Sequence, residues 1–232
     1  MNYIGQAFAW LADPAHWGGA SGIGARIGEH LWYSLLAVVA AAVVAIPLGL
    51  YIGHTGRLRG VAVTLLGGLR ALPSLGLLTF LALIMGLGLS QAVIPSTIAL
   101  AVLAVPPLLA STYAGVESID AGVIDGARAS GHSELQIVTR VEVPLAGAMI
   151  LGGVRSATLQ VLATATISAY LGLGGLGRFI LDGLPVRDYP QMLAGALLVI
   201  ALALVADGLL ALVQRAVTSE GVLLASGARE TA

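Results

Sequence analysis

Apolar residues run in long blocks along this chain, and the polar residues between them are few and clustered. Residues 31–52 carry no charge. They are long enough to cross a bilayer, because about 20 apolar residues in an α-helix cover the roughly 30 Å of hydrocarbon. Residues 61–89 form a second block that contains Arg70 and Pro73. At about 1.5 Å per residue it would make about 43 Å of helix, too short for two crossings and long for one, so the pattern predicts one tilted helix kinked at Pro73. Blocks at 92–113, 146–171 and 191–213 bring the predicted spans to five. The expected architecture is all-α and polytopic, with residues 31–215 as the membrane domain.

The flanks differ in character. Residues 1–30 hold Trp10, Asp13, Trp17 and several glycines. That composition suits either a short interfacial segment with its indoles at headgroup level or a frayed end. A basic stretch followed by an apolar core and a small-residue cleavage site is missing, so no removable leader is expected. Residues 216–232 are rich in small residues and are expected to form a disordered cytoplasmic tail.

Composition supports the membrane reading. The 232 residues are 58% hydrophobic and 10% charged, whereas a soluble domain is about 25% charged. A net charge of −1 provides no field for nucleic acid, and the chain has no Cys and only four scattered His. Disulfides and thiolate metal sites are therefore excluded, and no metal centre is expected. Every basic side chain is Arg. With the N-terminus outside, Arg57, Arg59, Arg128, Arg140, Arg215 and Arg229 fall on the cytoplasmic side and Arg26, Arg178 and Arg187 on the other. Cytoplasmic loops are the ones enriched in basic residues, so this placement favours N-out, C-in.

One interruption is too polar to be a connector. Residues 117–142 carry Glu117, Asp120, Asp125, Arg128, Glu134, Arg140 and Glu142, although helix connections need only about 2 to 8 residues. Asp120 is placed to cap a helix over 121–130, and Gly131 to end it in the left-handed conformation. Ser133 with Gln136 three residues on has the pattern of a capping box, and Pro144 is expected to stop the second helix after Val143. The prediction is a two-helix cytoplasmic elbow within 117–143, bent at Gly131. Leu135, Val138 and Val141 recur at helical spacing, an apolar stripe suited to a partner's groove or to packing on the chain's own bundle.

These residues carry a resemblance. Asp125-Gly126-Ala127, Gly131 and Val141-x-Val143-Pro144 have the spacing of the EAA motif of ABC importer permeases, with Asp for Glu, Gly for the first Ala and Val for Ile and Leu. Residues 154–184, VRSATLQVLATATISAYLGLGGLGRFILDGL, and 69–78, LRALPSLGLL, are similar to the permeases of the glycine betaine, carnitine, choline and proline group of osmoprotectant importers. The similarity extends over about residues 30–215. It implies a type I importer fold in a bacterial inner membrane and a coupling segment in which Asp125, Gly126, Ala127, Arg128, Gly131, His132, Leu135, Val141 and Pro144 meet an ATP-binding cassette subunit. It also implies a second permease subunit, identical or related, and an extracytoplasmic substrate-binding protein. The chain has no G-x-x-x-x-G-K-[ST] loop, so ATP and Mg belong to the partner and this subunit is expected to be non-catalytic.

Gly172, Gly174 and Gly177 form a G-x-G-x-x-G pattern, but a membrane span precedes it where a dinucleotide site requires a strand. A turn or close helix contact is the expected role. Arg70, Arg155 and Asp207 lie within predicted spans, where ionisable groups face protein or water and find partners. Asp207 is expected to pair with Arg155 or Arg70. Pro73, Ser74, Thr164, Thr166 and Ser168 are the candidates for lining a solute path, through carbonyls freed by proline and through hydroxyls. Aromatic residues are only 5% of the chain. Quaternary ammonium solutes are held by aromatic cages, so selectivity is expected to reside in the binding protein. A permease for an amino acid, a secondary transporter and a scaffold subunit are the rival readings. No internal repeat supports the second, and the third leaves the elbow's spacing without a purpose.

Overall fold

A computed structural model describes residues 2–217, and every regular element among them is helical. In chain order these are α1 (Tyr3–Ala12), a 3₁₀ turn (Pro14–His16), α2 (Ile23–Thr55), α3 (Arg59–Arg70), α4 (Ser74–Met85), a 3₁₀ turn (Leu89–Gln91), α5 (Val93–Glu117) and α6 (Ala121–Ala129). They are followed by α7 (Glu134–Ile137), a π-helical turn (Val138–Glu142), α8 (Val143–Thr164), a 3₁₀ segment (Ala165–Leu171), α9 (Gly177–Val186) and α10 (Tyr189–Val217). Four stretches are long and apolar enough to cross a membrane: Ile23–Thr55, Val93–Glu117, Glu134–Leu171 and Tyr189–Val217. The bent pair α3–α4 makes a fifth if counted as one span. Most of the expected tail lies outside the described residues.

Three expectations are corrected. First, α2 starts at Ile23 instead of residue 31. Its early polar residues stay helical because they have partners: Arg26 pairs with Glu29 at 2.9 Å, Glu29 accepts from the Gly175 amide at 2.8 Å, and the His30 ring lies 2.9 Å from the Leu162 carbonyl oxygen. Second, residues 61–89 are not one kinked helix. α3 and α4 meet at 92°, and Pro73 is the extended N-cap of α4 (φ −65°, ψ 116°). The proline ring disfavours helical backbone in the residue before it, which breaks the helix. Third, Pro144 does not end the second elbow helix. Glu134–Leu171 runs on through the π turn, a widened turn that frees the carbonyl with which a proline ring would otherwise clash.

Residue contacts divide into two compact units. One gathers residues up to Ala40, Ala71–Ala104 and Thr158–Ala206. Its core is Ile23, Leu176, Phe179 and Val199, with Trp10, Leu11, Ile27, Leu198 and Leu202 packed around them. Trp10 stacks on His16 at 3.9 Å and meets Phe179 edge-on at 5.3 Å, which ties α1 to the start of α9. A Cβ on Gly174 would overlap the Glu29 carboxylate, and one on Gly177 the Thr166 carbonyl. Gly174 and Gly177 of the glycine pattern therefore serve close packing, while Gly172 (φ +83°) makes the left-handed turn that ends the 3₁₀ segment.

The other unit contains Ala41–Arg70, Val105–Ala157 and the chain from Asp207 on. Small residues bring its backbones together. A Cβ on Gly49 would stand 2.6 Å from that of Thr112, one on Gly53 2.6 Å from that of Val116, and one on Gly153 2.7 Å from that of Ser111. The G-x-x-x-G spacing of Gly49 and Gly53 puts both on the α2 face that meets α5, the arrangement by which membrane helices gain dispersion contact without a hydrophobic driving force.

Candidate functional site

The polar interruption folds as local chemistry dictates. Asp120 accepts from the Gly122 amide at 2.7 Å and starts α6. Gly131 (φ +83°) ends that helix. The His132 amide reaches back to the Ala127 carbonyl at 3.2 Å and the Gly131 amide to that of Arg128 at 3.0 Å. These two bonds are those of a Schellman motif, which satisfies carbonyls left open at a helix end. Ser133 and Gln136 then close the capping box: the Ser133 amide donates to Gln136 Oε1 at 2.9 Å and the Gln136 amide to Ser133 Oγ at 3.4 Å.

Ion pairs brace the bend. Arg128 donates from Nε and Nη2 to the two carboxylate oxygens of Glu134 at 2.9 and 3.1 Å, and from Nη1 to Asp125 at 3.2 Å. The hydrogen bond to Glu134 holds the Arg128 guanidinium above the usual arginine pKa. Leu135 is 74% exposed. Asp125, Gly126 and Arg128 are exposed too, while Ala127, His132 and Val141 are half-buried and Pro144 is exposed. The inward anchor of this segment is Ile137, fully buried. The apolar periodicity pointed instead to Leu135, Val138 and Val141.

Sequence reasoning also missed the contact between the elbow and α2. His54, in the last turn of α2, lies 2.8 Å by Nδ1 from Glu142 Oε1 and 3.0 Å by Nε2 from Glu134 Oε2. Glu142 is 3% exposed. The signals were present in the sequence, as Glu142 is a lone carboxylate between valines and His54 directly follows Gly53, but 88 residues separate the partners. A cavity of about 550 Å³ adjoins this cluster, lined among others by His54, Arg59, Glu117, Asp125, Arg128 and Glu142.

The intramembrane charges resolve simply. Asp207 on α10 takes a two-pronged pair from Arg155 on α8, with Arg155 Nη2 donating to Oδ2 at 2.6 Å and Nε to Oδ1. Arg70 ends α3, exposed and without an ion pair among the described residues. Of the path candidates, Thr164 donates its hydroxyl to the Gln160 carbonyl and Thr166 to that of Ala163 at 2.9 Å. Ser168 is fully buried, with no hydrogen-bond partner for its hydroxyl among the described residues. Pro73 is exposed and Ser74 half-buried at the start of α4. Thr166 shares a groove of about 170 Å³ with Leu75 and Tyr170, so one of these residues does approach the α4 entrance.

Comparison with known proteins follows the same lines. Residues 45–219 match the family model described as "Binding-protein-dependent transport system inner membrane component". The chain is 32% identical to the glycine betaine/carnitine/choline transport system permease protein OpuCB of Bacillus subtilis, over 85% of this chain and 89% of that one. It is 34% identical to the carnitine transport permease protein OpuCB of Listeria monocytogenes, over 77% of this chain and 80% of that one. A chain of the inward-facing MetNI methionine ABC transporter shares its fold, with a TM-score of 0.69 and 23% identity over 83% of this chain and 94% of that one.

Proposed function

Because the chain belongs to the family of binding-protein-dependent transport system inner membrane components, we propose that it works in an importer of compatible solutes such as glycine betaine, choline, carnitine or proline. The names of its relatives support that solute class. In this reading two permease subunits enclose the path, a binding protein delivers solute from outside, and ATP-binding cassette subunits carry ATP and Mg. The N-terminus lies outside and the C-terminus in the cytoplasm, a reading that rests on arginine placement.

The observation that carries the mechanism is the braced elbow over residues 120–137. A segment with a Schellman end, a capping box and a doubly bonded Arg128–Glu134 pair is stiff enough to act as a lever. Asp125, Gly126, Ala127, Arg128, Gly131, His132, Leu135, Val141 and Pro144 are its coupling residues, with exposed Leu135 as the apolar contact for the motor. ATP-driven closure of the motor pushes this segment, and the spans that continue from it alternate between inward and outward opening. Pro73, Ser74, Thr164, Thr166 and Ser168 line the path, and selectivity resides in the binding protein.

Co-purification with the ATPase and reconstitution in liposomes test this reading. Each of glycine betaine, choline, carnitine and proline is presented with the binding protein. ATP hydrolysis and uptake are expected to rise together for at least one. Uptake that persists without ATP on an ion gradient alone would overturn it.

A further inference from the structure

His54 joins two carboxylates of the elbow. Glu134 and Glu142 each bring a carboxylate oxygen to a different nitrogen of the same imidazole, at 3.0 and 2.8 Å, the Nδ1 contact with Glu142 being a hydrogen bond. Glu142 is buried, and its second oxygen, Oε2, has no partner among the described residues. His54 is therefore the group that compensates this carboxylate, and a buried polar group stripped of its partner is costly.

The bridge has a mechanical setting. Its acceptors sit at both ends of one short stretch, Glu134 opening α7 and Glu142 closing the π turn. Glu134 is also the residue that Arg128 of α6 grips. His54 stands one residue past Gly53, one of the two glycines at which α2 packs closely on α5. Force applied to α6 therefore has a bonded route through Arg128, Glu134 and His54 into the α2 span.

We propose that His54 is a positioning residue for transport, a bridge that fastens the coupling segment to α2 through Glu134 and Glu142. This rests on the coupling role proposed above for the elbow. The charged groups around the bridge are Glu134 and Glu142 in contact, Arg128 and Asp125 behind Glu134, and the Arg59–Glu117 pair, 3.6 Å apart, across the adjoining cavity.

The test measures solute moved per ATP hydrolysed in liposomes containing the permease, its ATP-binding subunits and the binding protein. His54→Gln offers a single neutral amide nitrogen in place of the two ring nitrogens and cannot span both carboxylates in the same way. It is expected to lower the ratio severalfold while the complex still assembles. In His54→Gln/Glu142→Gln the two amides can bond to each other, and part of the ratio returns. Should His54→Gln fail to assemble, Glu134→Gln at the more exposed end of the bridge gives the same readout. A wild-type ratio in His54→Gln, or in Glu134→Gln if that is the variant measured, overturns the proposal. A cysteine at exposed Ala129, in a chain that has no other, reports the lever separately by crosslinking to the motor. If it crosslinks and the variants still behave as wild type, the bridge alone is wrong; if it never crosslinks in the wild-type background, the coupling role and the bridge fall together.

Discussion

Arg155 and Asp207 meet through two parallel hydrogen bonds, the planar guanidinium matched edge to edge with the carboxylate, and so tie α8 to α10. Gln214 supports the same seam by donating to the Ala148 carbonyl at 2.8 Å. In hydrocarbon a charge that loses its partner is worse off than a pair replaced by apolar residues. Asp207→Ala and Arg155→Ala are each expected to reduce the yield of monodisperse protein and its thermal midpoint in detergent. Arg155→Met/Asp207→Leu is expected to lie closer to wild type than either single change. Additive losses in the double variant would show that the two residues act independently.

Gly126 occupies the place of the first alanine in the motif, inside α6, and a Cβ there would meet nothing within 4 Å. Glycine in a helix interior costs about 1 kcal/mol relative to alanine. Gly126→Ala is therefore expected to slow hydrogen exchange across residues 121–129 and to leave uptake at or above wild type. A fall in uptake with normal folding would show that the motor contacts bare backbone at this position.

Gly131 stands at φ +83°. A side chain in left-handed backbone costs roughly 1–2 kcal/mol per residue, and asparagine carries less of that penalty than a β-branched residue. Gly131→Val is expected to loosen the whole segment, seen as faster exchange over 121–137 and less ATPase retained on purification. Gly131→Asn is expected to lose less on both measures. Equal losses would argue for a steric conflict with the motor over a backbone effect.

What could be read in the sequence was what short-range chemistry decides. The elbow's boundaries depend on Asp120, Gly131 and the Ser133–Gln136 box, each acting within a few residues, and the spans depend on runs of apolar side chains. The turn at Pro73 was recognised but its size was not, because a proline inside a long apolar run is equally compatible with a gentle kink and with the observed 92° break. Pro144 misled for the opposite reason. Proline ordinarily stops a helix, and here a π turn directly before it leads the chain on into α8. The His54–Glu142 contact was invisible because nothing local marks which of four histidines meets which carboxylate 88 residues away. That choice is made by how α2 packs against its neighbours.

That packing is itself testable at Gly53. A Cβ there would sit 2.6 Å from Val116 Cβ and 2.9 Å from the Tyr113 carbonyl oxygen, and neither can move without shifting α5. Overpacking of this kind typically costs about 1–3 kcal/mol. Gly67→Ala on α3, where a Cβ would meet nothing within 4 Å, is the matched control and is expected to be neutral or slightly stabilising. Gly53→Ala is expected to lower the thermal midpoint. Because His54 is the next residue, it should also reduce solute moved per ATP in whatever protein still assembles. Val116→Gly introduced alongside it removes the facing Cβ and should recover part of both, the contact with the Tyr113 carbonyl remaining. If the midpoint recovers and the transport ratio does not, the seam governs stability while the position of His54 is set elsewhere.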